Sequence, residues 1–147
     1  MPDWLESLRL IADPTRLRLM AVLGRNRLSV AELQEVLGMG QSRISTHLGL
    51  LRKGGLLHDR RDGKNIFYGW AGDLPEATVA LIQSTLSNAG LAGELRRDRE
   101  NLAAILKRRR AQTEAYFNAV AGRMGKRYCP GRSWRSVAHL FLGLVPR

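Results

Sequence analysis

A chain of 147 residues has room for one core and one appended element, which excludes a large two-domain enzyme. With 44% hydrophobic and 25% charged residues, 15 Gly and only 5 Pro, its composition is that of a folding chain and excludes a disordered one. Twenty-four Lys and Arg against 13 Asp and Glu leave a net charge of +11, which calls for a polyanionic partner, nucleic acid first, or a solvated surface.

From Asp3 to Gly24, apolar residues recur at Leu5, Leu8 and Ile11 and again at Leu17, Met20, Val22 and Leu23. Spacings of three and four predict two helices, and Asp13-Pro14 between them supplies a cap and a first helical residue. Ser29 stands three residues before Glu32, the pattern of a capping box, and Leu33, Val36 and Leu37 give the next short helix its apolar stripe. Gly38 is placed to end it in a left-handed turn. A further helix starts near Gln41, carries Ile44, Leu48 and Leu51 on one face and stops at Gly54-Gly55. This is helix-turn-helix spacing.

The period then changes. Residues 56–61 and 65–70 flank Asp62-Gly63, a dipeptide suited to a tight hairpin turn, so the helix-turn-helix is followed by a wing. Leu74 to Leu86 reads as a helix, and a longer one runs from about Glu94 to Val120. On it Leu95, Leu102, Ile105, Leu106 and Phe117 form a stripe that needs a partner, while Arg96, Arg97, Arg99, Lys107, Arg108, Arg109 and Arg110 turn mostly outward. Gly122 to Arg135 reads as turn-rich, and Ser136 to Leu144 as a short apolar stretch. The expected fold is mainly α with a small β-hairpin: a winged helix-turn-helix over residues 1–72, a helical dimerisation region over 73–127 and a connector over 128–147.

With Ile44, Leu48 and Leu51 toward the core, 100° per residue turns Ser42, Ser45, Thr46, Gly49 and Lys53 outward, with Gln41 and Arg43 at the flanks. A helix entering the major groove needs short side chains and hydrogen-bonding groups near its N-terminus, and Gln41, Ser42, Arg43, Ser45 and Thr46 meet that need. Lys53 is placed to sit over a phosphate. His47 lies between stripe and polar face, positioned either to bond a phosphate or base or to hold a backbone carbonyl. At the hairpin, Arg60, Arg61 and Lys64 suit contact with the backbone or the minor groove. A merely solvated polar face and a solvent-facing hairpin are the plain alternatives.

Residues 8–70 resemble the ArsR/SmtB family of bacterial winged-helix repressors. The resemblance rests on Ala12-Asp13-Pro14-Thr15-Arg16-Leu17-Arg18-Leu19, on Val30-Ala31-Glu32-Leu33, and on the run from Gln41 through Leu48 to Leu51-Arg52-Lys53-Gly54-Gly55-Leu56-Leu57. The wing Arg61-Asp62-Gly63-Lys64, leading to Phe67-Tyr68, completes it. It implies a homodimer built from the first helix and the helices after the wing, double-stranded DNA as partner through a palindromic operator, and repression relieved by a ligand that the sequence does not identify. The Cys-x-Cys of family metal sensors falls here on Gln34 and Val36, and Leu74 to Val120 holds no histidine, so no metal site is expected. Residues 111–147, with Tyr128-Cys129-Pro130-Gly131-Arg132-Ser133-Trp134, resemble the connector of regulators fused to an S-adenosylmethionine-dependent methyltransferase. No Gly-rich cofactor loop follows a strand within the chain, so that cofactor is expected only with a downstream domain.

Catalysis by this chain is not expected. His47, His58 and His139 have no Cys, Asp or Glu at ligand spacing, and no serine sits in a nucleophile elbow. A lone Cys129 can form no internal disulfide; beside Arg127, Tyr128 and Pro130 it reads as an inert thiol first and a reactive sensor second. The chain opens without a basic-then-apolar leader and has no run of about 18 apolar residues, so the expectation is a cytoplasmic protein with no membrane partner. A nucleic-acid-binding module without operator specificity is the competing class, and the charge alone would fit it.

Overall fold

The computed structural model describes residues 4–128. The order is α1 (Trp4–Ile11), α2 (Pro14–Leu23), β1 (Leu28–Ser29), α3 (Val30–Leu37), α4 (Gln41–Lys53), β2 (Leu57–Asp62), β3 (Asn65–Trp70), α5 (Glu76–Asn88) and α6 (Ala92–Tyr128). The chain divides into two compact units at Leu106/Lys107.

In the first unit the break between α1 and α2 follows from four consecutive residues. Asp13 is extended and its carboxylate accepts the Arg16 N–H at 2.9 Å, while Pro14 opens α2 where no amide hydrogen is needed. The Arg16 side chain turns back and donates to the carbonyls of Leu10 and Arg9, which closes the C-terminal end of α1. The capping box of α3 is complete: the Glu32 N–H donates to Ser29 Oγ, and the Ser29 N–H donates to the Glu32 carboxylate at 2.8 Å. Gly38 then ends α3 at φ 64°, a conformation that costs a residue with a Cβ.

The wing is part of a three-stranded antiparallel sheet, ordered β1-β3-β2. The hairpin is as expected, but its register pairs Asp62 with Asn65, so Gly63 and Lys64 form the two-residue loop, with Gly63 at φ 58°. The third strand, Leu28–Ser29, was not expected; it pairs with Tyr68 and Phe67. Two residues are too few to show an alternating pattern.

The core gathers Leu19, Met20 and Leu23 of α2, Leu33 and Val36 of α3, and Ile44, Leu48 and Leu51 of α4, with Leu28, Leu56, Ile82 and Ile105 from the elements around them. The three stripe residues of α4 are at most 1% exposed, which fixes the rotation of that helix about its axis. At about 1.5–3 kcal/mol for each buried aliphatic side chain, the stripe holds α4 firmly by one face and leaves the other free. Trp70 joins the wing to α2 by donating from its indole N–H to the Met20 carbonyl at 2.9 Å.

The start of α6 is fastened to the helix-turn-helix by polar groups. Arg18 donates from Nε and Nη2 to the two oxygens of Asp98 at 2.7 and 2.6 Å, and from Nη2 to the Leu37 carbonyl at 3.1 Å. Asn101 donates to the Val36 carbonyl at 2.9 Å. These bonds occupy carbonyls at the C-terminal end of α3, which no intrahelical donor reaches. The hydrogen bond to Asp98 raises the Arg18 pKa above its ordinary value, against the opposing effect of burial.

Two features of α6 differ from expectation. It begins at Ala92, and it continues through Gly122 and Gly125 to Tyr128, where the sequence suggested turns. Glycine inside a helix costs about 1 kcal/mol relative to alanine, which weakens a helix without ending it. The expected turn-rich remainder, the connector, Cys129, His139 and the Ser136–Leu144 stretch lie outside the described residues. In the second unit, Tyr116 and Phe117 are each 66% exposed and meet edge to face with centroids 6.2 Å apart. The stripe that buries Ile105 is therefore bare at Phe117.

Candidate nucleic-acid interface

α4 starts at Gly40, whose extended backbone caps the helix without a side-chain bond, so the first amides of α4 receive no side-chain cap. Gln41, Ser42, Arg43, Ser45, Thr46 and Lys53 are all exposed, on the side away from the buried stripe. Their bonding differs. The Thr46 hydroxyl donates to the Ser42 carbonyl at 2.9 Å, which leaves its oxygen able to accept. Arg43 is turned back onto α2, donating to Thr15 Oγ1 at 2.8 Å, so that guanidinium braces two helices where the sequence placed it only on the reading edge.

His47 sits between these environments, with its side chain 17% exposed. Its Nδ1 is buried without a hydrogen-bond partner and lies 3.7 Å from Asp13 Oδ1. That atom bonds no backbone carbonyl; the group it faces is the carboxylate that caps α2.

An added Cβ on Gly49 would meet nothing within 4 Å. No packing among the described residues therefore explains a glycine in mid-helix. α4 is tied to the wing by Arg52, which donates to Asp59 at 3.1 Å, an exposed pair that sequence reasoning missed. Arg60, Arg61 and Lys64 are exposed, and Arg61 Nε donates to the Gly63 carbonyl at 3.3 Å, folding that side chain over the turn. Ile66, opposite Arg61 in the register, is 42% exposed and gives the basic wing an apolar spot that charge counting does not reveal.

The candidate interface thus consists of a small polar helix face held by a fixed stripe, with a basic hairpin tied to the same helix. Residues 13–59 match the bacterial regulatory protein family named arsR. Over 79 residues the chain is 41% identical to a biofilm growth-associated repressor of Agrobacterium fabrum, a stretch that takes in 51% of this chain and 68% of that protein. The chain belongs to the ArsR family. This ArsR-family chain is also 38% identical over 79 residues to a biofilm growth-associated repressor of Xylella fastidiosa, covering 54% of its own length and 66%, just under two thirds, of the other. Among solved structures, a homodimeric winged helix-turn-helix DNA-binding domain from Mycobacterium bovis resembles it with a TM-score of 0.50 at 25% identity, over 59% of this chain and 78% of that one. The winged helix-turn-helix fold expected from the sequence is the fold of that neighbour. Among the described residues, no group of three or more His, Cys, Asp or Glu side chains comes together, and no helix is long and apolar enough to cross a membrane.

Proposed function

We propose that this ArsR-family chain is a sequence-specific transcriptional repressor that binds double-stranded DNA as a homodimer, with one α4 in each half of a palindromic operator. The observation that carries this is the face of α4: Gln41, Ser42, Ser45 and Thr46 are exposed beside Gly49, on a helix whose opposite side is locked into the core. Short polar side chains let the backbone approach base edges closely enough for hydrogen bonding. Arg60, Arg61, Lys64 and Lys53 supply cations for the flanking phosphates, and Arg43 braces α4 against α2 beside that face. The homodimeric neighbour supports the subunit arrangement, and the exposed Trp4, Leu5 and Leu8 of α1 offer it an apolar face.

The test is a comparison of operator and random duplexes. A specific repressor prefers its site by roughly 10³-fold or more, whereas a module bound by charge alone does not. Ser42→Ala combined with Thr46→Ala should lower operator affinity more than random-duplex affinity. An equal loss on both would remove these residues from base recognition.

A finer reading, that this is the DNA-binding part of a methyltransferase fusion using S-adenosylmethionine, rests on the resemblance of residues 111–147. Sequencing the coding region beyond Arg147 tests it, with a strand and a Gly-rich loop as the expected finding.

A further inference from the structure

The wing carries an apolar side chain at a point where the core no longer reaches it. Residues paired across β2 and β3 share a face of the sheet, and successive pairs alternate between faces. Leu57 and Trp70 form the first pair on the core face: Leu57 is buried and Trp70 is bonded to α2. Asp59 and Tyr68 form the second, with Asp59 paired to Arg52 of α4 and Tyr68 packed against the core. Arg61 and Ile66 form the third, about 7 Å further along the strands. That step takes Ile66 beyond the Arg52–Asp59 tie on the same side of the sheet as α4, and leaves it 42% exposed.

Its surroundings are cationic. Residues 60–66 hold Arg60, Arg61 and Lys64 against the single carboxylate of Asp62. Scattered aliphatic side chains on a surface are ordinary. This one is ringed by cations and continues the face that carries α4, so the surface that complements it is a polyanion with an apolar floor. The minor groove of B-DNA is such a surface, and at about 6 Å wide it takes a side chain where it would not take a helix.

We propose that Ile66 is a specificity-determining residue, a role that rests on the DNA-binding reading above: set into the minor groove beside the α4 contact, it selects A·T over G·C pairs flanking each half-site. From the minor groove A·T and T·A pairs show acceptors alone, and G·C adds the guanine N2 amino group, a donor. Isoleucine has no atom that accepts a hydrogen bond. Laid over G·C it strips the amino group of water and returns nothing, whereas over A·T it meets no such group. The narrower groove of A·T runs also closes on the side chain and draws in the neighbouring cations. Arg61 and Lys64 hold phosphates at the groove walls and add no base preference.

Binding sites selected by the full chain from a library of random duplexes test this. Outside the palindromic positions, the selected sites should carry A·T or T·A pairs with no preference between the two. Changing those pairs to G·C should lower affinity by about tenfold, as for one mismatched pair. Changing them to inosine·cytosine, which lacks the amino group, should restore it. Ile66→Thr keeps the β-branch and gains an oxygen able to accept, so in that variant the discrimination should fall toward one. The slope of log affinity against log salt should stay the same, because no charge changes.

Flanks without an A·T preference, inosine·cytosine that behaves as G·C, or undiminished discrimination in Ile66→Thr overturn the role. So does an Ile66→Thr chain that shifts from dimer to monomer in sedimentation velocity, which would make Ile66 a subunit contact. A palindrome selected without the flanking preference overturns this role alone, and a library that yields no preferred site overturns the repressor reading with it.

Discussion

Gly49 is the residue whose presence the fold explains least and the proposed interface explains best. A Cβ there would touch nothing within 4 Å, so Gly49→Ala should raise stability by about 0.5–1 kcal/mol in urea unfolding, because alanine restricts the unfolded chain and favours the helix. The same methyl would stand on the face that includes Ser42 and Ser45 and hold the duplex away. Operator affinity should then fall by about tenfold or more, as for loss of one good base contact. A variant with both higher stability and full affinity would place Gly49 outside the contact. The opposite trade applies at Asp98, which is 2% exposed and paired bidentately with Arg18. Asp98→Ala strands the guanidinium and should cost about 3 kcal/mol, whereas Arg18→Met with Asp98→Leu should recover most of it, since the pair's desolvation penalty disappears with both charges. Neither pairing was legible in the sequence. Arg18 and Asp98 are 80 residues apart and Arg43 and Thr15 are 28 apart, and no spacing rule reaches across such distances.

Elements were legible where a local chemical signal marks both ends. The Asp13-Pro14 start of α2, the Ser29–Glu32 box and the Gly38 stop each satisfy backbone groups within a few residues, so the helices they delimit stand as the pattern implied. β1 carries no such signal, because its two residues are held by Tyr68 and Phe67, some forty positions away. The end of α6 was misread for a different reason: Gly122 and Gly125 look like turn residues, but neither has to leave the helical region when nothing else ends the helix. The wing allows an element-scale test of the proposed phosphate contact. Arg61 is exposed, so Arg61→Ala should leave folding intact, weaken operator and random DNA together and reduce the slope of log affinity against log salt by about one. An unchanged slope in a salt titration would place the wing off the backbone.

At the scale of the molecule, charge and apolar surface separate. Counted along the sequence, residues 1–72 hold a net +4 and residues 73–147 a net +7, yet the residues proposed to contact DNA, from Gln41 to Lys64, all lie in the first span. On that proposal the total of +11 overstates the cations available to the operator, and steering by the remainder is a sequence-independent contribution that salt should remove first. Apolar surface points to the subunit contact. On α1, Trp4, Leu5 and Leu8 are 47%, 57% and 41% exposed, while Ile11 on the same helix is buried, so one α1 face holds the core and another has no cover among the described residues. If that face joins the proposed homodimer, Leu8→Glu should leave the monomer folded, since the side chain is exposed there. It should also raise the dimer dissociation constant by roughly tenfold or more, because about 1.5–3 kcal/mol accompanies burial of each leucine. Sedimentation velocity across a dilution series would show the shift, and operator binding should weaken in parallel because each subunit then reaches only half of the palindrome. A Leu8→Glu protein that stays dimeric would move the subunit contact off α1.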